Sequence, residues 1–155
     1  MRSSKRRVGA LLVCGFWLAA SVNGQEQEMS ALSQSIITAV QAQEPGWTLE
    51  DPVARGDELT HRWKHGYEEV VIRIDRVASV EAATSALDAV PRQLSVSAEP
   101  QPRTDIGDSA LLYSRYGPTG SAVIYFRKRT MFIKVNGPSE NITVRFAKLV
   151  ANEIL

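Results

Sequence analysis

Residues 121–136 read SAVIYFRKRTMFIKVN, and this stretch decides the fold. Two runs of alternating side chains flank a basic pair at 128–129, which is typical of two antiparallel strands joined by a tight turn. We expect this turn to place Phe126 opposite Met131, and side chains directly opposite each other share a face of the sheet. One face of the predicted hairpin is then wholly apolar, and we expect it to lie in the core. Its members are Ala122, Ile124, Phe126, Met131, Ile133 and Val135.

The opposite face of this hairpin is mixed. The predicted register places Tyr125 and Phe132 in its centre, Arg127 and Lys134 at its edges, and Leu112 of the preceding strand beside Tyr125. Two interpretations stay open. Either a helix or the N-terminal segment covers this face, or it is an exposed aromatic patch with a rim of cations, as interaction surfaces often are. In the second case Tyr125, Phe132, Arg127 and Lys134 form a binding site, for example for a glycan or an acidic peptide.

Three segments carry apolar residues every three or four positions, which is typical of one face of a helix. The first spans 29–40, the second runs from a capping Ser79 to Pro91, and the third follows a capping Ser139. Serine is a favoured residue at the start of a helix, and proline often ends one. The sequence therefore predicts three helices.

Further strands are predicted at 59–64, 68–77 and 111–116, with a possible short strand at 93–98. The segment 47–53 reads as a loop or a short extended piece. The last three strands leave no room for helices between them, which excludes a parallel, doubly wound sheet. The pattern favours an α+β fold in which an antiparallel sheet of about five to six strands packs against two or three helices.

The N-terminus has the pattern of a secretory signal peptide. Residues 1–24 hold a basic head, an uncharged apolar run at 8–20 and a small-residue exit. Cleavage is expected after Gly24, with Ala20 and Ser21 as alternative sites. The apolar run is shorter than the roughly 20 residues that cross a bilayer as a helix. We therefore expect an exported protein, periplasmic or secreted, that meets the membrane only through this leader before cleavage.

The predicted mature part, 25–155, is a single domain with its own charge balance. The whole chain has 18 basic and 17 acidic residues, a net of +1. Four basic residues lie in the leader, which leaves 14 against 17, a net of −3. This balance does not favour nucleic-acid binding. The one cysteine, Cys14, also lies in the leader, so the domain has no thiol for a disulfide, a nucleophile or a metal. A lipid-anchored alternative, cut before Cys14, would leave a very short apolar run.

Residues that carry chemistry are few. His61 and His65 are four apart, but on a strand they would lie about 13 Å from each other, so we expect no metal and no cofactor. No serine sits in a G-x-S-x-G turn. We therefore expect a non-enzymatic binding domain for an unidentified envelope protein or small ligand. The alternative is a hydrolase of an envelope or extracellular substrate that uses carboxylates such as Asp105, Asp108 or Glu69 in a cleft.

The last third of the chain resembles a group of bacterial domains. Residues 107–110 form a G-D-x-A entry to a strand, 125–128 read Y-F-R-K, and an amphipathic helix closes the chain. This combination is similar to uncharacterised secreted or envelope-attached bacterial α+β domains. The resemblance implies an exported, bacterial setting, and its motifs carry no catalytic residue.

Overall fold

The computed structural model describes residues 16–93, 99–114 and 120–155. Three helices and seven strands follow in the order α1 (Phe16–Gln43), β1 (Thr48–Arg55), β2 (Glu58–His65), β3 (Glu68–Arg76), α2 (Val80–Gln93), β4 (Gln101–Arg103), β5 (Ser109–Ser114), β6 (Ala122–Lys128), β7 (Met131–Gly137) and α3 (Glu140–Glu153).

The strands form one antiparallel sheet in the order β1-β2-β3-β7-β6-β5-β4. Helices α1 and α3 pack on one side, here called the inner face, and α2 packs on the other, the outer face. The predicted α+β fold is confirmed, with seven strands where five to six were expected. Most of the segment 47–53, expected to be a loop or a short extended piece, is part of strand β1. Its alternation is broken because the pairing with β2 shifts between Glu50 and Val53, around Asp51 at φ 34° and Pro52.

The inner face forms a continuous core beneath two helices. Trp63 of β2, Phe126 of β6 and Phe146 of α3 are the largest fully buried side chains. Helix α1 contributes the predicted stripe through Met29, Ile36 and Val40, with Leu32 partly buried at its margin. The six hairpin residues predicted for the core are all buried: Ala122, Ile124, Phe126, Met131, Ile133 and Val135.

The β6–β7 hairpin has the predicted faces but another register. Phe126 pairs with Ile133, not with Met131, so the turn lies one residue later than expected. Asp108 explains this position, because its Oδ2 accepts hydrogen bonds from the backbone N of Arg129 at 2.8 Å and from Nη1 of Arg127 at 2.9 Å. Each residue moves by two positions relative to its partner, which preserves the face on which every side chain lies.

Strand β5 is shifted by one residue relative to β6 from the expected pairing, so the predicted face of its side chains is wrong. Leu112 pairs with Ile124 on the inner face, and Leu111 takes the place beside Tyr125. Ser114 pairs with Ala122, so the connection is longer than the four residues expected. Residues 115–119 of that connection, which include the predicted strand end, lie outside the described residues.

The two helix starts predicted from capping serines agree with the structure, whereas the helix end predicted from Pro91 does not. The side chains of Ser79 and Ser139 accept hydrogen bonds from the backbone N–H groups of Ala82 and Ile142, at 3.2 and 3.4 Å. Helix α2 continues past Pro91 to Gln93, because a proline in the last turn removes only one N–H donor. The possible strand at 93–98 falls mostly outside the described residues.

Helix α1 is longer than the predicted stripe and begins at Phe16, so it includes the three alternative cleavage positions. The leader and its cleavage stay predictions. In the described part of the chain, no helix combines the length and apolarity needed to cross a bilayer.

Candidate binding site

The outer face holds a second, smaller apolar cluster, here called the outer cluster. Tyr113 of β5 and Tyr125 of β6 are buried beneath Leu87 and Val90 of α2. These two helical residues are three apart, so they lie on the same side of α2 and face the sheet. Three partly buried residues form the margin of the cluster: Leu111, Val123 and Phe132.

Aromatic rings organise the outer cluster. Tyr113 and Tyr125 meet edge to face at 6.0 Å between ring centroids, and Phe132 stacks on Tyr125 at 6.2 Å with 23° between the planes. Such pairs add about 0.5–1.5 kcal/mol beyond their area. The hydroxyl of Tyr113 is buried and has no hydrogen-bond partner among the described residues. Burial, and to a lesser degree Tyr125, raises the pKa of Tyr113, so this hydroxyl stays protonated as a donor.

A cation lies at the border of the outer cluster. Lys134 of β7 is exposed and places its Nζ 5.5 Å from the centroid of the Tyr125 ring. The residue directly opposite on β3 is Arg73, so two cations are cross-strand neighbours. Like charges in this position repel each other. Arg73 is balanced by Asp75 at 3.1 Å and Glu58 at 3.5 Å.

The structure places all four residues predicted as a binding patch on the outer face of β6 and β7, where Arg127 pairs with Phe132 and Tyr125 with Lys134. Tyr125, Phe132 and Lys134 are in contact, but Tyr125 is only 8% exposed because α2 covers the centre of the face. The covered alternative therefore holds for the centre, whereas Phe132 is half-buried and Lys134 is open at the edge. Arg127 lies opposite Phe132, but its guanidinium is already paired with Asp108 at 2.9 Å.

The carboxylates named for a hydrolase are each held by cations. Asp105 contacts Arg103 at 2.9 Å and Lys148 at 2.8 Å. The hydrogen bond from Arg103, followed by that from Lys148, holds the pKa of Asp105 well below its usual range. Glu69 lies on β3, where Arg62 binds it at 2.9 Å. An acid with a strongly lowered pKa is a poor proton donor near neutral pH, so Asp105 is unsuited to that role.

The histidines occupy different surroundings. His61 is fully buried on the inner face and hydrogen-bonded to Ser33 of α1. His65 is exposed at the end of β2, and its ring lies 5.6 Å from that of Trp47 with the two planes tilted by 37°. Within the described ranges, no three side chains of histidine, cysteine, aspartate or glutamate are grouped as a metal site would require.

The Ser33–His61 pair was not predicted from sequence, although a signal for it exists. Ser33 stands on the apolar stripe of α1, between Met29 and Ile36. His61 alternates with Leu59 and Trp63, which places its side chain inward on a half-buried strand. Two polar residues at apolar positions of neighbouring elements indicate a buried polar contact.

Two open clefts border α1. One, of about 500 Å³, lies between α1 and the β1–β2 turn and is lined by Glu26, Met29, Ser30, Ala54, Arg55 and Gly56. The other, of about 540 Å³, lies where Gln34, Thr38 and Ser35 of α1 approach Glu153 of α3. Neither cleft contains a carboxylate named for the hydrolase or a residue of the outer cluster.

The fold and site define a class: an antiparallel α+β sandwich with a helix-covered aromatic cluster and a cation at its border. No protein-family model matches this chain, and comparisons with curated proteins and with solved structures return no match. The predicted resemblance to secreted bacterial domains therefore stays a prediction.

Proposed function

We propose that this chain is an exported, non-enzymatic binding domain whose binding site is the border of the outer cluster at Phe132 and Lys134. An acidic group on an envelope protein or small ligand would contact Lys134, while an apolar part of the same partner would cover Phe132. Aromatic residues beside a cation are common at the centres of interaction surfaces.

The observation that carries this proposal is that Lys134 lacks a carboxylate partner among the described residues. The neighbouring cations of β2 and β3 are all neutralised: Arg62 by Glu69 at 2.9 Å, Lys64 by Glu50 at 2.9 Å, and Arg73 by Asp75. Lys134 has no carboxylate within 4.0 Å in the part of the chain that the structure describes, and it faces an aromatic ring. Its charge is therefore open to a partner.

The alternative, a carboxylate-dependent hydrolase, has less support. Such an enzyme needs one carboxyl group that donates a proton and a second that activates water or attacks the substrate. Asp105 and Asp108 lie in the same connection before β5, and each is engaged by arginine. Glu69 lies on the outer face of β3, away from both in the sheet. No observation favours this activity over binding.

The experiment uses the protein immobilised on beads and an envelope extract from its own source. We expect Lys134→Glu, which repels an acidic partner, and Phe132→Ser, which removes the apolar contact, each to lose at least about ten-fold of the species retained by the unchanged protein, because a residue at the centre of an interface contributes about 2 kcal/mol or more. The matched control is Arg62→Glu, which changes an exposed cation on the same face but outside the border. Retention of the same species by all variants, or by none, would overturn the proposal.

A further inference from the structure

A polar pair is enclosed in the inner core where α1 meets the sheet. Ser33 Oγ and His61 Nε2 are 2.8 Å apart, Ser33 is 9% exposed and His61 is not exposed at all. The second ring nitrogen, Nδ1, has no partner among the described residues. This pair lies on the opposite side of the sheet from the proposed binding site, so the inference below goes beyond the proposed function.

Among the described residues, no charged side chain faces His61 from the elements packed around it. Its neighbours on the inner face are apolar: Leu59 and Trp63 on β2, and Ile72 on β3. The charged residues nearest to His61 in these two strands, Arg62 and Arg73, belong to the outer face, and Arg76 at the end of β3 pairs with Glu28 of α1. On β1, the pairing with β2 places the bulge at Asp51 opposite His61, and the carboxylate of Asp51 is exposed to solvent.

Several charged groups on or next to α1 and α3 engage other partners, and Glu26 of α1 is exposed to solvent. Glu28 pairs with Arg76 at 3.1 Å and Glu44 with Arg145 at 2.7 Å, and Glu153 accepts a hydrogen bond from Ser35. These contacts also hold α1 in place. They do not compensate a charge on His61, and burial alone lowers the pKa of this imidazole to about 4.

Protonation changes what the ring requires. A neutral imidazole has one N–H donor and one acceptor, whereas the imidazolium has two donors and a charge. Nε2 can donate to Ser33 Oγ, but the Nδ1 proton would have no acceptor among the described residues. A buried, unpaired charge is strongly unfavourable, so a protonated His61 must reach water. Ser33 belongs to α1, and movement of α1 away from β2 gives the ring that access.

We propose that α1 is an acid-sensitive clasp: it docks on the sheet while His61 is neutral, and acidification releases it from β2. In the released state the imidazole takes its ordinary pKa of about 6.5. Docking is therefore strongest above pH 6.5, and it weakens as the pH falls from 6.5 towards 4, because only the released state takes up the proton readily. The population with α1 released should rise about 30-fold between pH 8 and pH 5.

Hydrogen exchange resolved by peptide tests this proposal on the full chain. We expect amides of α1 to exchange about 30-fold faster at pH 5 than at pH 8, after correction for the intrinsic pH dependence of exchange. Amides of α3, which packs on the same face, should keep their protection over this range. Equal loss of protection in α1 and α3 would indicate acid unfolding of the whole domain and would overturn the clasp.

Two variants separate His61 from other titrating groups. His61→Gln keeps a side chain able to bond Ser33 but never carries a charge, so its α1 exchange should be independent of pH between 8 and 5. The matched control is His65→Gln, which removes the other histidine and should leave the acid response intact. An unchanged response in His61→Gln contradicts the proposal.

A measurement on the unchanged protein covers the case in which His61→Gln does not fold. The ring C–H signals of His61 report its protonation in an NMR titration. We expect their midpoint to coincide with the opening of α1. A ring that titrates near 6.5 while α1 stays protected would contradict the proposal.

Discussion

The two faces of the sheet are built differently, although the same strands supply both. Apart from His61, the inner face is apolar from β2 across to β5 and is covered by α1 and α3, whose buried residues join it in one cluster. The outer face carries ion pairs on β2 and β3 and an aromatic cluster on β5 to β7 beneath one helix. Burial of apolar area is the main favourable term in folding. The inner face is therefore expected to supply most of the stability, whereas the border on the outer face, where we propose binding, should contribute less.

The largest effect should come from a charge on the inner face. Ile124 is fully buried between neighbouring strands. Ile124→Asp places a carboxylate there without a partner, and the cost of burying one ion is several kcal/mol, comparable to the stability of a whole domain of about 5–15 kcal/mol. We expect an unfolded protein by far-UV circular dichroism and NMR.

The matched variant for this comparison is Val123→Asp, one residue earlier on the same strand. Val123 belongs to the outer face and is only partly buried, at the margin of the outer cluster. A carboxylate there can reach water, so we expect a folded protein of reduced stability. If both variants were equally folded, the contrast between the two faces would be wrong.

Tyr125→Ser measures how strongly α2 covers the outer cluster. The side chain is buried and contacts Tyr113 and Phe132, so its truncation should lower the free energy of unfolding by about 3 kcal/mol, as for aromatic residues in cores. Urea titration followed by fluorescence gives this value. A loss below about 0.5 kcal/mol, usual for surface positions, would mean that the face is effectively exposed.

The sequence predicts the inner face well because alternation and helical periodicity report it directly. All six apolar residues of the β6–β7 hairpin are buried as expected, even though the register differs, because the difference is two positions. The prediction for Leu112 is wrong because the face of its side chain depends on the number of residues that connect β5 to β6. A change of one residue in that connection moves the side chain to the other face, and composition does not reveal the length of the connection. The sequence left open whether β1 is a loop or extended, because its bulge at Asp51 interrupts the alternation.

The candidate site was only partly predictable. The residues on one side of a hairpin follow from the sequence, and so Tyr125, Phe132 and Lys134 were correctly grouped. Whether a helix covers them depends on where α2 packs after a crossover, which no local pattern specifies. The salt bridge between Arg127 and Asp108 joins residues 19 positions apart, and it depends on the β5–β6 register.

Substitution of the capping serines of α2 and α3 compares the two faces through smaller and more local effects. Ser79→Ala and Ser139→Ala each remove one side-chain acceptor from a helix N-terminus, which costs about 1 kcal/mol. Because α3 is part of the inner core, we expect Ser139→Ala to lower the global stability. For α2 on the outer face, Ser79→Ala should mainly increase hydrogen exchange in α2 itself. Equal global losses for both variants would mean that α2 unfolds only together with the inner core.

The smallest effect is expected on the ion-paired part of the outer face. Arg62 donates from a single nitrogen, Nη1, to both carboxylate oxygens of Glu69 at 2.9 Å, but the two side chains are 50% and 37% exposed. Water and salt screen such a pair, so Arg62→Ala should change the free energy of unfolding by less than about 0.5 kcal/mol. A double-mutant cycle with Glu69→Ala isolates the contribution of the pair. A coupling above 1 kcal/mol would show that this part of the face stabilises the sheet, and the division of roles between the two faces would then need revision. A small coupling instead leaves the inner core as the main source of stability, as the burial of its strands and helices predicts.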